Sequence, residues 1–283
     1  MELWRVQQPE THPAPFTAVI LAAQRAGQVD PLAAAAGISH KCLVPIAGQP
    51  LIAHVAAALL AVPGLTRLRV VVEPGMFAPI RTMLGDRSQL DFVPAAPNLA
   101  DSVLAAACCV TGPIIVTTAD NVLLTPGAVR QMLDVLNDGA DVAIAMANRA
   151  SVLAAHPEGQ RRFYRFRDGE YSNCNLYAFA DRAAVKAAES FRSGGQFAKK
   201  PARLIAAVGI FNVILFLLRR LSLRSALTRM SRRFGLTIEP TVLADGSHAI
   251  DVDNERTYRV AALLLEQRTA AQASLAEPMR AAG

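Results

Sequence analysis

From Thr17 to Ala23 the chain is apolar without a break and includes β-branched residues. That is the pattern of a strand buried on both faces of a parallel sheet, not the one-sided stripe of an amphipathic helix. Arg67 to Glu73 and Pro113 to Ala119 repeat it, each after a helical pattern, over Pro50 to Ala61 and Ala100 to Val110. A further helix over Pro126 to Asn137 leads to a strand over Ala140 to Asn148. Such alternation predicts a doubly wound parallel sheet. The rhythm then changes: Arg162 to Phe166 and Tyr171 to Phe179 flank Asp168-Gly169, a hairpin signal, so the second half turns to antiparallel pairing. Leu236 to Leu243 predicts a strand and Asp253 to Arg268 a closing helix with Asp253 or Asn254 as its N-cap. The fold class is α/β, a Rossmann-like mixed sheet. One domain is expected over 1–270, with 190–235 as a basic, apolar helical insertion and 271–283 as a disordered tail.

With 283 residues, 52% of them hydrophobic and 18% charged, the chain can bury one large core. Its net charge of +6 suggests a polyanion partner until the distribution is read. Residues 190–238 hold Arg192, Lys199, Lys200, Arg203, Arg219, Arg220, Arg224, Arg229, Arg232 and Arg233 and no acidic residue, so the remainder is net acidic. That excludes a nucleic-acid surface spread over the domain.

Within the basic stretch, Leu204 to Leu218 is apolar. It reaches only about 22 Å as a helix, short of the roughly 30 Å hydrocarbon core. The arginines from Arg219 onward alternate with Leu221, Leu223, Leu227, Met230 and Phe234 as an amphipathic cationic helix. Two readings stand: peripheral contact with an anionic membrane, or a helical insertion packed on the sheet or on a second subunit of a homodimer. Lys199, Lys200 and Arg203 are candidates for binding an anionic substrate. Cys42, Cys108, Cys109 and Cys174 lack metal-site spacing and read as buried free thiols, and His54, among apolar residues at helical spacing, reads as structural. Residues 1–16 have no basic start followed by an apolar run, so a cytoplasmic chain is expected, with the inner face of the membrane as its alternative place.

The most informative stretch is Leu21 to Leu51. A small-residue turn after the first strand brings backbone N–H groups toward a nucleotide, and Arg25 and Lys41 supply charge to a triphosphate. Leu21-Ala22-Ala23, Arg25, Gly27, Lys41, Leu43, Pro45, Gly48, Pro50 and Leu51 resemble the signature of the molybdenum-cofactor guanylyltransferase-like and sugar-phosphate nucleotidyltransferase superfamily. Gln24 stands where that signature has glycine, and His40 where it has proline.

The resemblance implies a glycosyltransferase-A-like nucleotidyltransferase fold and a reaction in which a nucleoside monophosphate moves from an NTP to a phosphorylated acceptor, a sugar, polyol or lipid head group. It places the nucleotide along Leu21, Ala22, Ala23, Gln24 and Gly27, with Arg25 and Lys41 as catalytic cations. Asp120, after the strand ending at Thr118, sits where an open sheet binds ligands and is the expected Mg²⁺ ligand. Asp251 matches a second family ligand, while Asp253 is either a third or the N-cap of the closing helix. Ser102, in Asp101-Ser102-Val103, matches a segment near the base and ribose, although a serine there is also a helix cap. Asn173 and Asn175, at alternate positions of a strand, match a strand facing the acceptor. The rivals are a glycosyltransferase of similar fold that consumes a nucleotide-sugar, and a non-catalytic, membrane-associated nucleotide-binding protein.

Overall fold

A computed structural model describes residues 14–24, 29–191 and 215–281, the side chains of 189–191 and 275–281 excepted. Arg25, Gly27, Lys199, Lys200, Arg203 and residues 204–214 of the apolar run lie outside the described residues.

The chain begins with β1 (Phe16–Leu21), α1 (Pro31–Ala35), the two-residue strands β2 (Pro45–Ile46) and β3 (Gln49–Pro50), and α2 (Leu51–Leu60). Next come β4 (Leu65–Val72), α3 (Phe77–Leu84), β5 (Leu90–Pro94), α4 (Leu99–Ala106) and β6 (Ile114–Thr118). They are followed by α5 (Pro126–Asn137), β7 (Val142–Asn148), α6 (Arg149–Ala155) and the hairpin β8 (Tyr164–Phe166) with β9 (Gly169–Phe179). The basic segment ends in α7 (Leu223–Phe234), and β10 (Ile238–Leu243) and α8 (Glu255–Ala281) follow.

The main sheet has the order β10-β7-β9-β6-β1-β4-β5, with β8 paired to β9. β1 pairs in parallel with β4 and β6, β4 with β5, and β10 with β7. β9 runs antiparallel between β6 and β7, so the sheet is mixed, as expected. Successive side chains of a strand point to opposite faces. Ala18 and Ile20 of β1 accordingly join α2 and α5 in one core, while Val19 joins α4 and α7 in the other. This two-sided burial is what the unbroken apolar runs record.

A third cluster lies under the carboxyl end of the sheet, where Val44, Ile46, Leu51, Val122, Leu123, Ile250, Val252 and Val260 pack together. It ties the Lys41 segment, the turn after β6 and the Asp251 segment into one block. Gly246 makes the last of these fit: a Cβ there would meet the Ser151 carbonyl carbon at 2.2 Å, so the turn before Asp251 lies directly on α6.

Several expectations are corrected. α4 ends at Ala106, not Val110, and the turn that follows exposes Cys108 and Cys109; only Cys42 and Cys174 are buried. α8 continues to Ala281 through residues expected to be a disordered tail. The amphipathic α7 lays Leu223 and Leu227 into the second core, with Met230 and Phe234 against it. Its apolar face is thus covered by the protein itself, in favour of the intramolecular packing reading over membrane insertion. Among the described residues no helix is long and apolar enough to cross a membrane.

Candidate active site

Lys41 opens a single 3₁₀ turn, Lys41–Leu43, whose Cys42 is buried in the core, so its side chain projects from an anchored backbone. Its ammonium lies 2.5 Å from Asp120 Oδ2 and 3.3 Å from Asp253 Oδ1. Burial alone would lower the lysine pKa, but the charges of Asp120 and Asp253 outweigh it and hold the group well above its ordinary value. Lys41 is therefore a fixed cation.

Asp120 follows β6 directly. Thr118 Oγ1 donates to its Oδ1 at 2.5 Å, and its backbone carbonyl accepts from Val252 N–H at 3.1 Å. That last bond brings the Asp251 segment beside Asp120. Asp251 is buried; Asn175 Nδ2 donates to its Oδ2 at 2.6 Å, and its Oδ1 has no hydrogen-bond partner. Burial, then the charges of Asp120 and Asp253, push its carboxyl well above the usual range against the pull of Lys41 and Asn175.

Asn254 Oδ1 accepts from Thr257 N–H at 3.3 Å and Thr257 Oγ1 accepts from Asn254 N–H at 3.1 Å, so Asn254 caps α8 and Asp253 is left to face Lys41. The structure thus brings Lys41, Asp120, Asp251 and Asp253 together. Among the described residues no group of three His, Cys, Asp or Glu side chains is arranged to hold a metal ion unaided. Mg²⁺ does not require one, because it keeps waters and substrate phosphates around one or two carboxylates. The unpartnered Oδ1 of Asp251 fits such an ion.

Two cavities flank this cluster. One of about 380 Å³ is lined by Leu21, Ala22, Ala23, Gln24, Lys41 and Asp120, the nucleotide side expected from sequence. The other, about 980 Å³, runs along the start of α8 and is lined by Asp251 and a set of arginines. Asp253 lines both.

The details of the loop differ from expectation. Ala22 N–H donates to Val71 O at 2.9 Å and Gln24 N–H to Glu73 Oε1 at 2.9 Å, so those two backbone donors are already engaged. Glu73 Oε2 also stands 3.5 Å from His40 Nε2. The two positions that depart from the superfamily signature, Gln24 and His40, therefore converge on one glutamate that sequence reading missed; only the order β4 then loop hinted at it. Ser102 is buried and its Oγ accepts from Ala96 N–H at 3.0 Å, holding the entry to α4 instead of lining the cavity; Leu99, Val29 and Asp30 line it instead. Asn98, not Asp101 or Ser102, caps α4.

On the other side, Asn175 has φ of 46° where β9 bulges against β7, and it holds Asp251. Asn173 donates its amide to the Tyr177 hydroxyl. His54 Nε2 pairs with Ile46 O at 2.9 Å, the structural role expected.

A MobA-like NTP transferase domain model matches residues 18–233. No curated protein matches the chain. Among solved structures, a hypothetical transferase from Thermus thermophilus aligns with TM-score 0.69 at 28% identity over 87% of this chain and 99% of that one. A CMP:2-keto-3-deoxy-manno-octonic acid synthetase complexed with CTP gives 0.58 at 16% identity over 90% and 100%. A 4-diphosphocytidyl-2C-methyl-D-erythritol synthase from Anaerococcus prevotii gives 0.57 at 9% over 90% and 97%. The last two show the fold. With the matched family model spanning most of the chain, the chain belongs to the MobA-like NTP transferase domain family and is a nucleotidyltransferase.

Proposed function

We propose that this enzyme moves a nucleoside monophosphate from an NTP to a phosphorylated small molecule or lipid-linked acceptor, with Mg²⁺ and with release of pyrophosphate. The observation that carries the reading is the position of Asp253: it lies in the wall of both cavities, beside Lys41 and Asp120, where two anionic substrates meet.

The NTP enters the smaller cavity, along Leu21 to Gln24. Lys41 faces its triphosphate, and Arg25 is assigned the same task on the strength of the motif. An oxygen of the acceptor phosphate attacks the α-phosphorus in line; the new P–O bond forms as the bond to the bridging α,β-oxygen breaks, and pyrophosphate leaves with that electron pair. Negative charge grows on the leaving group and the equatorial oxygens, and a fixed ammonium in a partly desolvated site stabilises it. Asp120 and Asp251 are the residues that would hold Mg²⁺, with Asp253 at its edge. When bound, the ion screens the two substrates from one another and polarises the α-phosphate. Asn175 keeps Asp251 oriented, and the hydroxyl-paired Asn173 stands beside it on β9 toward the acceptor side.

A panel of the four NTPs against phosphorylated sugars, polyols and lipid head groups, with Mg²⁺, tests the reading through pyrophosphate release. Release that depends on both substrates is expected. Transfer of a sugar from a nucleotide-sugar with no pyrophosphate from any NTP would favour the glycosyltransferase alternative.

A further inference from the structure

The larger cavity is lined by as many arginines as carboxylates, but they are not all paired. Arg161, Arg162, Arg256 and Arg259 stand there with Glu158, Glu255, Asp251 and Asp253. Two of the cations are spoken for: Arg161 pairs with Glu158 at 3.8 Å, and Arg259 with Glu255 one turn earlier on α8. Arg256 is different. It is half-buried, one of its terminal guanidinium nitrogens is buried with no hydrogen-bond partner, and neither it nor Arg162 forms an ion pair among the described residues. Burial, then the neighbouring charge of Arg161, pulls its pKa down from the ordinary arginine value against the opposing charges of Glu158 and Asp253.

Its place on α8 adds to the cost. Arg256 is in the first turn, where the amide ends of the helix dipole are positive and a second cation is unfavourable. A buried donor with no partner costs free energy that a bound anion would return. A planar guanidinium with free N–H groups matches the oxygens of a phosphate.

We propose that Arg256, supported by Arg161 and Arg162, is the anion clamp that seats the phosphate monoester of the acceptor in this cavity. The assignment rests on the nucleotidyltransferase reading of the site and adds to it the residues that hold the second substrate. It gives this task to the start of α8 and the 160–162 loop, where sequence reading offered Lys199, Lys200 and Arg203.

The test is equilibrium binding of inorganic phosphate and of glycerol 3-phosphate by calorimetry, without NTP, to the full chain and to Arg256→Gln, Arg162→Gln and Arg81→Gln, each checked for an unchanged melting temperature. Wild-type protein is expected to bind both probes. Arg256→Gln should weaken binding at least about tenfold and Arg162→Gln by less, while Arg81→Gln, on α3 and in the lining of neither cavity, keeps it. Equal affinity in Arg256→Gln and wild type overturns the clamp, as does an equal loss in Arg81→Gln, which would mark a general charge effect. Binding of Mg²⁺–NTP by wild type and Arg256→Gln, measured in parallel, checks the nucleotidyltransferase reading separately, since that binding does not pass through Arg256.

Discussion

The Lys41 ammonium stands 2.5 Å from the carboxylate of Asp120, a contact across 79 residues of chain that ties the nucleotide loop to the carboxyl end of β6. Because the carboxylates keep it protonated, the lysine presents a permanent charge to a triphosphate. Lys41→Ala is expected to slow NTP-dependent pyrophosphate release at least about tenfold, equivalent to about 1.4 kcal/mol of transition-state stabilisation. Arg25→Ala is expected to have a similar effect, and Asp120→Ala a larger one. Steady-state rates together with thermal melts settle it: an unchanged rate in a normally folded Lys41→Ala protein removes the central role given to this residue.

Asp251 is the buried carboxylate of the cluster, and one of its oxygens has no partner. Activity should require a divalent cation and vanish in excess EDTA. Asp251→Asn, which keeps shape and removes charge, is expected to lower kcat by at least about tenfold with a smaller change in nucleotide KM, because a metal ligand matters most as charge builds at the transferring phosphate. Full turnover in EDTA would mean that Asp120 and Asp251 serve some purpose other than metal binding.

Asp120 was singled out by the strand it follows and Asp251 by its resemblance to a family element, while the central strands were legible because both their faces are buried. What escaped notice has a physical common thread. β5, an edge strand with only Leu90 buried, carries no long apolar run, and α3 buries only Ile80, with Phe77 and Leu84 packed against the core. Glu73 was invisible as a site residue since its partners, Gln24 and His40, are distant in sequence and meet it only through the parallel pairing of β1 with β4. The Ser102 assignment failed because a serine near a helix start has several hydrogen-bond options, and here Ala96 takes it. The arginines at the start of α8 carry no motif; only the cavity groups Arg256 with Arg161 and Arg162.

Asn175 combines a left-handed backbone, φ of 46°, with a 2.6 Å hydrogen bond to Asp251. Comparing Asn175→Gly with Asn175→Ala separates the two features, since glycine relieves the backbone and alanine does not. Both should reduce kcat because both remove the amide that orients Asp251, and Asn175→Ala should also lower the melting temperature. If Asn175→Gly retains full activity, the amide is dispensable.

His248 is buried on the 3₁₀ turn Gly246–Ala249, 3.9 Å from Asp245, with Arg268 paired to the same aspartate at 2.9 Å. Burial lowers its pKa, with Asp245 opposing and Arg268 adding to the shift. The unfolded chain thus takes up the proton first, and stability should fall as pH drops below about 6.5, the ordinary histidine value, toward the lower folded value. Melting temperatures between about pH 7.5 and pH 5 should fall more steeply for wild type than for His248→Gln. Parallel curves for the two proteins would show that His248 titrates normally.

The cationic helix α7 offers the sharpest test of where the basic segment belongs. Its apolar stripe is not free: Leu223 is 4% and Leu227 8% exposed, and both pack into the core shared with β1, β6 and β7. The helix is held by a Ser222 N-cap and a left-handed Gly235 C-cap, by Leu223 N–H donating to Asp168 of the β8–β9 turn at 2.9 Å, and by Arg224 facing Glu239 at 3.3 Å. Truncating a buried leucine costs about 2–5 kcal/mol through lost transfer energy and the cavity left behind. Leu227→Ala should therefore lower the melting temperature in solution by at least about 4 °C. Replacing the half-buried Arg229 and the exposed Arg232 and Arg233 by glutamine should change it less than that truncation, since charged side chains near the surface contribute little. A membrane-seated helix would show the opposite pattern. Leu227→Ala would then leave the solution melt unchanged and weaken flotation with anionic vesicles, and the glutamine variant would weaken flotation most at low salt. Melts and flotation on the same three proteins decide between packing and insertion.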